Sequence, residues 1–320
     1  ARAAALYETF LAGCYEKAEE IDDSSGCFGQ FAAELYSGWI RARQADGADP
    51  DEIASRLLHA MDDDPYGFCN NLEKVAAKAL DKAGLAAFVL QVRARFDGTA
   101  KTDGTRKDRP EYVRSRWGDV LRTLYIAQRK LDAYVAVAKE TGLTPQDCQA
   151  IARLLVSRRK ADDALGWVKR GRGLDNKTSH GSWVGDELVK LEREILLKLG
   201  RGTEALDSAW ADYCKHPSKY AYDELMTFVP KAERAKWHEK AIEAGRAADL
   251  HAFMELLLET RELERLADLI RKVEDQALEA LSHYATEPVA RVLEKAHPDL
   301  AARLWRAQGM RIVGAGKSKY

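Results

Sequence analysis

The sequence predicts an all-α protein, built as a superhelical array (an α-solenoid) of stacked antiparallel helix pairs. First, strong helix formers (Ala, Leu, Glu, Lys and Arg) dominate the 320 residues, whereas Pro occurs only 8 times. Second, apolar residues recur at intervals of three and four, which is typical of amphipathic helices, and no credible run alternates as a strand would. Third, a helix–turn–helix pattern recurs along the second half of the chain, as in repeat proteins.

Short polar turns separate the predicted helices. The segment LVKLEREILLKL (188–199) places five apolar residues on one helical face. Thr144 is a typical N-cap, and Pro145 suits the first position of the helix that follows. The predicted helices span 2–21, 28–45, 50–61, 67–81, 84–96, 110–129, 131–140, 145–159, 161–171, 183–199, 203–215, 218–228, 231–245, 249–260, 263–273, 275–285, 287–296 and 298–313.

The recurring pattern joins the end of one helix, a tight turn and the start of the next helix. It occurs at 124–138, 155–169 and 196–210, and in weaker form at 225–239 and 257–271. Because one hairpin cannot bury both of its faces, neighbouring hairpins are expected to stack into a superhelix. The spacing is close to the ~34-residue tetratricopeptide period, although each copy lacks the full W-x₂-L-G-x₂-Y consensus.

The polar, glycine-containing segment DGTAKTDGTRKDR (97–109) is the candidate linker. It separates acidic N-terminal helical hairpins in 1–97 from a tetratricopeptide-like array in 110–320, which we expect to be continuous with them. The five cysteines show no C-x-x-C spacing and one must be unpaired, so the sequence favours a reducing, cytoplasmic environment. The apolar runs are shorter than the ~18 residues that a membrane span requires.

Charge is distributed unevenly along the chain. The net charge is −1 overall, but it is −7 in residues 1–100 (10 basic, 17 acidic), +8 in 101–177 (18 and 10) and −2 in 178–320 (22 and 24). Such asymmetry is typical of surfaces that meet a charged partner. The sequence therefore predicts two candidate surfaces, one basic and one acidic.

The basic candidate is an edge within 106–172, where Trp117 and Trp167 lie among many cations. If hairpins stack, the turns at 129–130 and 158–160 become equivalent and share an edge, which could follow a phosphate backbone. The alternative is a solvated face with local ion pairs to Asp162 or Asp163. The candidate nucleic-acid residues are Arg129, Lys130, Arg158, Arg159, Lys160, Lys169, Arg170 and Arg172.

The acidic candidate is centred on the stretch EEIDDSSGCFG (19–29). The first and third helix connections are expected at the same end of an array, which would bring this stretch close to the second acidic run. Such an edge could hold Ca²⁺ or Mg²⁺, or meet a basic partner. The alternative is helix capping, with acidic and hydroxyl side chains binding the free N–H groups of the next helix. The residues concerned are Asp22, Asp23, Asp62, Asp63 and Asp64.

Four segments carry a resemblance to a known family: IDDSSG, ADPDEIASRLL, DDDPYGF and EALDSAWADYCKHPSKYAYDEL. With them, the chain resembles an uncharacterised bacterial all-helical family whose helical region often follows a SWIM-type zinc finger. The finger's C-x-C…H-x-C ligands do not occur in this sequence. Any finger-borne zinc or DNA binding is therefore expected to be absent from this chain or to lie upstream of it.

The sequence favours a non-enzymatic scaffold that binds another protein through the groove of the superhelix, because solenoids offer extended curved surfaces. The alternative is a nucleic-acid-binding repeat protein that uses the basic edge. No residue set fits a catalytic, cofactor or metal site, since the seven histidines lack ligand spacing and no nucleotide or hydrolase motif is credible. The partner itself cannot be read from the sequence.

Overall fold

A computed structural model describes residues 2–20, 27–99, 109–175 and 183–314. These residues form eighteen α-helices and two short 3-10 helices, and they contain no strand, so the predicted all-α class is confirmed. The chain divides into two compact units, Ala1–Leu191 and Glu192–Tyr320. The boundary between the units falls inside a helix, whereas most of the candidate linker lies outside the described residues.

The first unit is a succession of helices that pack on their neighbours. α1 packs on α2, and α3 packs on α5, while α4 fills the space beside α2 and α6. From α5 onwards each helix packs on the next, as far as α9. These helices are α1 (Arg2–Lys17), a 3-10 helix (Ala18–Glu20), α2 (Cys27–Ala45), α3 (Pro50–Asp62), α4 (Leu72–Ala79), α5 (Lys82–Thr99), α6 (Arg109–Ala127), α7 (Leu131–Glu140), α8 (Pro145–Ser157), α9 (Ala161–Asp175) and α10 (Trp183–Lys198), which crosses into the second unit.

The second unit contains shorter helices around one apolar cluster. Its largest fully buried side chain is that of Tyr213, whose hydroxyl donates to the carbonyl oxygen of Ala241 at 2.7 Å. α14 lies in the middle, packed on α12, α13, α15 and α17, and α18 closes the unit against α16 and α17. The elements are α11 (Gly202–Lys215), α12 (Lys219–Phe228), a 3-10 helix (Lys231–Glu233), α13 (Arg234–Gly245), α14 (Leu250–Glu259), α15 (Leu263–Lys272), α16 (Asp275–Ala280), α17 (His283–Leu293) and α18 (Pro298–Gly314).

Most predicted helices agree with the observed ones within a few residues, and α7 spans the predicted 131–140. The predicted helix 67–81 is wrong at its start, because α4 begins only at Leu72. The Asp64 carboxylate accepts hydrogen bonds from the amides of Phe68 and Cys69 at 3.0 and 2.7 Å, which holds this segment in turns. Asp64 therefore binds two amides of a loop. It does not cap the next helix, although the capping interpretation requires that it should.

A second difference concerns the predicted break between 275–285 and 287–296. The chain turns earlier, at Leu281 and Ser282, and Pro288 lies inside α17. Ala285, Val289 and other apolar side chains of α17 are buried. Burial of this apolar face outweighs the helix-breaking tendency of one proline, because tertiary packing supplies most helical stability.

Four hairpin turns share one hydrogen-bond pattern. In each, the residue with positive φ donates its amide N–H three residues back, and the next residue donates five residues back, which is the Schellman motif. The next helix begins two residues after the positive-φ position. Three of these turns lie in the recurring segments, and the fourth lies in the weaker copy 257–271; the copy at 225–239 passes instead through Val229 and Pro230. The positive-φ residues are Arg129, Arg159, Gly200 and Arg261.

An arginine at this position is unusual. A left-handed backbone suits glycine, because a Cβ atom approaches the neighbouring carbonyl oxygen there. Gly47 and Gly200 occupy the same place in Schellman turns of this chain, with φ values of 72° each. Arg129, Arg159 and Arg261 adopt φ values of 55°, 61° and 61°. These arginines are therefore held at a local energetic cost.

Replacing Arg261 by glycine is expected to raise the free energy of unfolding by about 1 kcal/mol, because glycine adopts the left-handed backbone without strain. Chemical denaturation of the full chain measures this change. Gly200→Ala is the matched control and should lower stability by about 1 kcal/mol, since a Cβ at this position meets no atom within 4 Å and only the backbone is strained. A destabilised Arg261→Gly variant would contradict this explanation.

Candidate interaction surfaces

A groove of about 690 Å³ lies between α7 and α9, with Leu155 of α8 at its base. Leu131 and Val135 line one wall, and Trp167 lines the other. These four side chains form an apolar strip, and polar side chains surround it. The groove therefore offers both an apolar contact and charged partners. Its remaining lining residues are Asp132, Lys160, Asp162, Asp163, Gly166 and Arg170.

Gly166 leaves part of the α9 wall bare. It lies in the interior of the helix and is exposed, and a Cβ atom built there meets nothing within 4 Å. An interior glycine costs a helix about 1 kcal/mol relative to alanine. Gly171 in the same helix has a packing reason, because its Cβ would lie 2.8 Å from that of Cys148. No neighbour in the described part of the chain supplies such a reason for Gly166.

The predicted basic residues fall into two groups. Arg129, Lys130 and the run 158–160 lie at the α6–α7 and α8–α9 turns, and all five side chains are exposed. The structure brings the two turns together, because the Arg158 guanidinium donates to the carbonyl oxygen of Arg129. Equivalent turns thus do lie side by side here.

The other three predicted basic residues lie towards the far end of α9. Arg170 is ten residues beyond Lys160, or about 15 Å along a helix. Its guanidinium carbon lies 5.3 Å from the centre of the Trp167 ring, a distance typical of a cation–π contact. Lys169 is exposed, whereas Arg172 is half-buried. The predicted edge is therefore interrupted by the first turns of α9, which carry Asp162 and Asp163.

The acidic candidate is only partly within the described residues, because Asp22 and Asp23 lie outside them. Asp62 ends α3 and forms an ion pair with Arg95 at 2.8 Å. Asp63 is the C-cap residue of the same helix. The Asp64 carboxylate also accepts from the Tyr15 hydroxyl at 3.2 Å, which ties this loop to α1. These contacts are structural ones, and they use carboxylate oxygens that a cation would need.

A cysteine and two tyrosines lie beside Asp64. The Cys69 thiol donates to the Tyr36 hydroxyl and to the Ala60 carbonyl oxygen, at 3.4 and 3.3 Å. Burial raises the pKa of the Cys69 thiol, and it also raises the pKa of the Tyr36 and Tyr15 hydroxyls. All three groups therefore stay protonated and neutral near pH 7, and the cluster joins α1, α2 and the loop after α3.

Asp147 carries the most buried carboxylate among the described residues of the first unit. The sequence did not predict the importance of this residue. It is 2% exposed and binds Arg122 of α6 through Oδ1–Nε (2.7 Å) and Oδ2–Nη2 (3.3 Å). Tyr134 of α7 donates to it at 2.8 Å, and Thr144 forms a capping box with it. The available signal was the Thr144-Pro-Gln-Asp147 spacing, which has the form of a capping box.

Opposing effects act on the pKa of Asp147. Burial by itself raises the pKa, but hydrogen bonds from the Arg122 guanidinium, the Thr144 amide and the Tyr134 hydroxyl outweigh it and hold the pKa below its ordinary value. The next residue, Cys148, is fully buried, and burial raises the pKa of its thiol to about 11. The start of α8 thus buries a paired carboxylate and a protonated thiol next to each other.

A second buried arginine occupies a corresponding position. Arg193 lies seven residues before Gly200, just as Arg122 lies seven residues before Arg129. Its side chain is 3% exposed and forms ion pairs with Asp212 and Glu224, and it donates to the Ser208 carbonyl oxygen at 3.0 Å. In both units, an arginine that lies seven residues before the left-handed residue of a hairpin turn therefore links its own helix to later elements.

A hydrogen-bonded chain joins three elements of the second unit. The Tyr222 hydroxyl lies 2.8 Å from His238 Nδ1, and His238 Nε2 lies 2.9 Å from the Glu262 carboxylate. Arg265 also pairs with Glu262, at 3.4 Å. These hydrogen bonds connect α12, α13 and the start of α15. The ion pair with Arg265 holds the Glu262 carboxylate in position.

The described residues contain no group of three or more His, Cys, Asp or Glu side chains that could hold a metal ion. Nor does any helix among them combine the length and the apolar character needed to cross a membrane.

The fold and these surfaces define an all-helical protein with a groove between two helices and with two adjacent basic turns. The chain belongs to the family of unknown function DUF6880, which matches residues 1–313. A search of curated proteins gives no match.

The family match covers the segments that carry the resemblance found in the sequence. The all-helical character expected from that resemblance is confirmed. Its association with a SWIM-type finger stays a prediction.

Replacing Asp147 by asparagine is expected to lower the free energy of unfolding by about 3 kcal/mol, because it leaves the mostly buried guanidinium of Arg122 without its main anionic partner. Urea denaturation measures the change. Asp119→Asn is the matched control: Asp119 contacts the same guanidinium at 3.1 Å, but its side chain is 71% exposed. That variant should change stability by less than about 0.5 kcal/mol. Equal effects of the two variants would contradict the importance of burial.

The stabilisation due to Asp147 should also depend on pH. Because its pKa is lower in the folded state than in the unfolded state, its contribution is complete above the unfolded value of about 3.9 and is lost as pH falls through the folded value. The stability difference between the wild-type protein and Asp147→Asn should therefore shrink as the solution is acidified below about pH 4. A difference that stays constant over this range would contradict the lowered pKa.

Proposed function

We propose that this protein is a non-enzymatic scaffold that binds another protein in the groove between α7 and α9. In this proposal the hairpins stack as a superhelical, tetratricopeptide-like array. Two features support the array: the shared hydrogen-bond pattern of four turns, and the successive packing of α6, α7, α8 and α9. Helices joined by such short turns run antiparallel, so α7 and α9 are parallel and both begin at the same end of the groove.

The charges along the groove indicate the chemistry of the bound segment. Asp132, Asp162 and Asp163 line the groove in the first turns of α7 and α9, where they outnumber Lys160; the other cations of the adjoining turns do not line it. The apolar strip follows, and Arg170 lies about 12 Å further along α9 than Asp162. The groove lining therefore suits a peptide with a basic residue, an apolar anchor and an acidic residue, in that order from the aspartate end.

The bare surface at Gly166 is the observation that carries this proposal. Alanine there would stabilise the helix and would meet no atom of the described chain within 4 Å. Gly173 is equally bare, but of the two only Gly166 lines the groove, where the absence of a side chain lets another backbone approach the apolar strip closely. Trp167, next to it, is a half-buried aromatic side chain of the kind that anchors interfaces.

A random peptide library selected on the full chain tests the proposal. Selected peptides are expected to share an apolar anchor flanked by a basic and an acidic residue. Gly166→Leu should weaken their binding at least roughly tenfold, because the leucine side chain fills the space beside Trp167. Fluorescence anisotropy with labelled peptides measures the dissociation constant for each variant.

Gly173→Leu is the matched control for this experiment. Gly173 lies in the same helix, and a Cβ there also meets nothing within 4 Å, but it does not line the groove. Both substitutions introduce a better helix former, so neither should impair folding. If the selected peptides bind both variants as they bind the wild-type protein, or if no selected peptide depends on the groove, the proposal is wrong.

A further inference from the structure

Five exposed cations occupy two adjacent hairpin turns of the first unit. We call this the hairpin-tip surface; it consists of Arg129, Lys130, Arg158, Arg159 and Lys160. The hydrogen bond from Arg158 to the Arg129 carbonyl oxygen joins the two turns, so the charges stand in a fixed relation to one another. A carbonyl partner leaves the positive charge of the guanidinium uncompensated.

None of these five cations forms an ion pair with a described carboxylate, although aspartates are close in sequence. Asp132, Asp162 and Asp163 follow the turns directly, but they lie in the first turns of their helices, where they favour the helix N-termini. Other arginines of the first unit, such as Arg93 and Arg122, are paired. The hairpin-tip surface is thus a local excess of positive charge on a chain whose net charge is −1.

The backbone at these turns fixes the direction of two of the cations. Arg129 and Arg159, like Arg261, occupy left-handed positions that glycine fills in the equivalent turns at Gly47 and Gly200. Since the two turns share their hydrogen-bond pattern, both arginine side chains leave the backbone in the same direction relative to their hairpins.

We infer that the hairpin-tip surface binds the phosphate backbone of nucleic acid. This goes beyond the proposed protein scaffold and concerns the turns at one end of the groove, of whose cations only Lys160 also lines the groove. Two equivalent turns present five exposed cations side by side, which is complementary to the closely spaced charges of a phosphate backbone. Arginine and lysine provide phosphate contacts without reading bases, so binding should be independent of sequence.

The test measures binding of the full chain to labelled single- and double-stranded oligonucleotides of mixed sequence by fluorescence anisotropy. If all five cations contact phosphates, the slope of log affinity against log salt on duplex DNA should be about −4.5. Affinity should then fall about 500-fold between about 50 and about 200 mM salt.

The decisive variant is Arg129→Gly with Arg159→Gly, and the matched control is Arg261→Gly. All three changes replace a left-handed arginine by the residue that this backbone prefers, so the Tm of each variant should stay equal to or exceed that of the wild-type protein. The double variant should reduce the salt slope to about −2.7, because two phosphate contacts are lost. Arg261→Gly should leave both slope and affinity unchanged.

Three results would overturn the inference: no binding at about 50 mM salt, an unchanged slope in the double variant, or an equal loss in Arg261→Gly. A fourth concerns the class of partner. If polyglutamate displaces the oligonucleotide as efficiently, per charge, as unlabelled nucleic acid does, the surface serves acidic protein segments and not a phosphate backbone. Arg129 and Arg159 do not line the groove, so the double variant tests this inference independently of the peptide experiment.

Discussion

Burial of the Asp147 carboxylate is the constraint on which the middle of the first unit depends. A charge that is 2% exposed must be paired, and its partners come from three different places: Arg122 on α6, Tyr134 on α7 and Thr144 at the start of α8. Satisfying one carboxylate therefore orients three helices at once. The groove between α7 and α9 follows from this arrangement, because α8 forms its base.

The hairpin turns impose a second constraint, which is local and repeated. Each turn must end one helix and begin the next with three residues between them, and the Schellman motif does so with one left-handed residue. This is why a recurring pattern was visible in the sequence at all: the apolar positions before and after the turn have fixed offsets. It also explains why the weak copy at 257–271 folds like the strong ones, whereas Pro230 directs the copy at 225–239 into another path.

Helix periodicity and turn residues predicted the all-α class and most boundaries, since both depend on neighbours in sequence. The failures depend on particular side-chain contacts and on packing. The start of α4 depends on the Asp64 carboxylate holding two amides, and the path through Pro288 depends on apolar packing of α17. A propensity argument sees neither effect. The groove was likewise unpredictable in detail, because Gly166 is informative only once the space around it is known.

Of the candidate surfaces, the adjacency of the two basic turns was foreseeable from the repeat, whereas their separation from Lys169 and Arg170 required the helix geometry. Asp147 was overlooked because a lone aspartate after Thr-Pro resembles an ordinary cap, and its burial is decided by Arg122 and Tyr134, which are distant in sequence.

The fully buried thiol of Cys148 has a practical consequence for studying motion in this molecule. It adjoins Asp147, and its pKa of about 11 keeps it protonated, so alkylating reagents can reach it as a thiolate only when the start of α8 opens. Cys27 and Cys214 are exposed and react without any such opening. Cys14 and Cys69 are buried too, so the rate has to be measured at Cys148 itself. With the two exposed cysteines as the reference, the rate of alkylation at Cys148 reports how often the start of α8 opens.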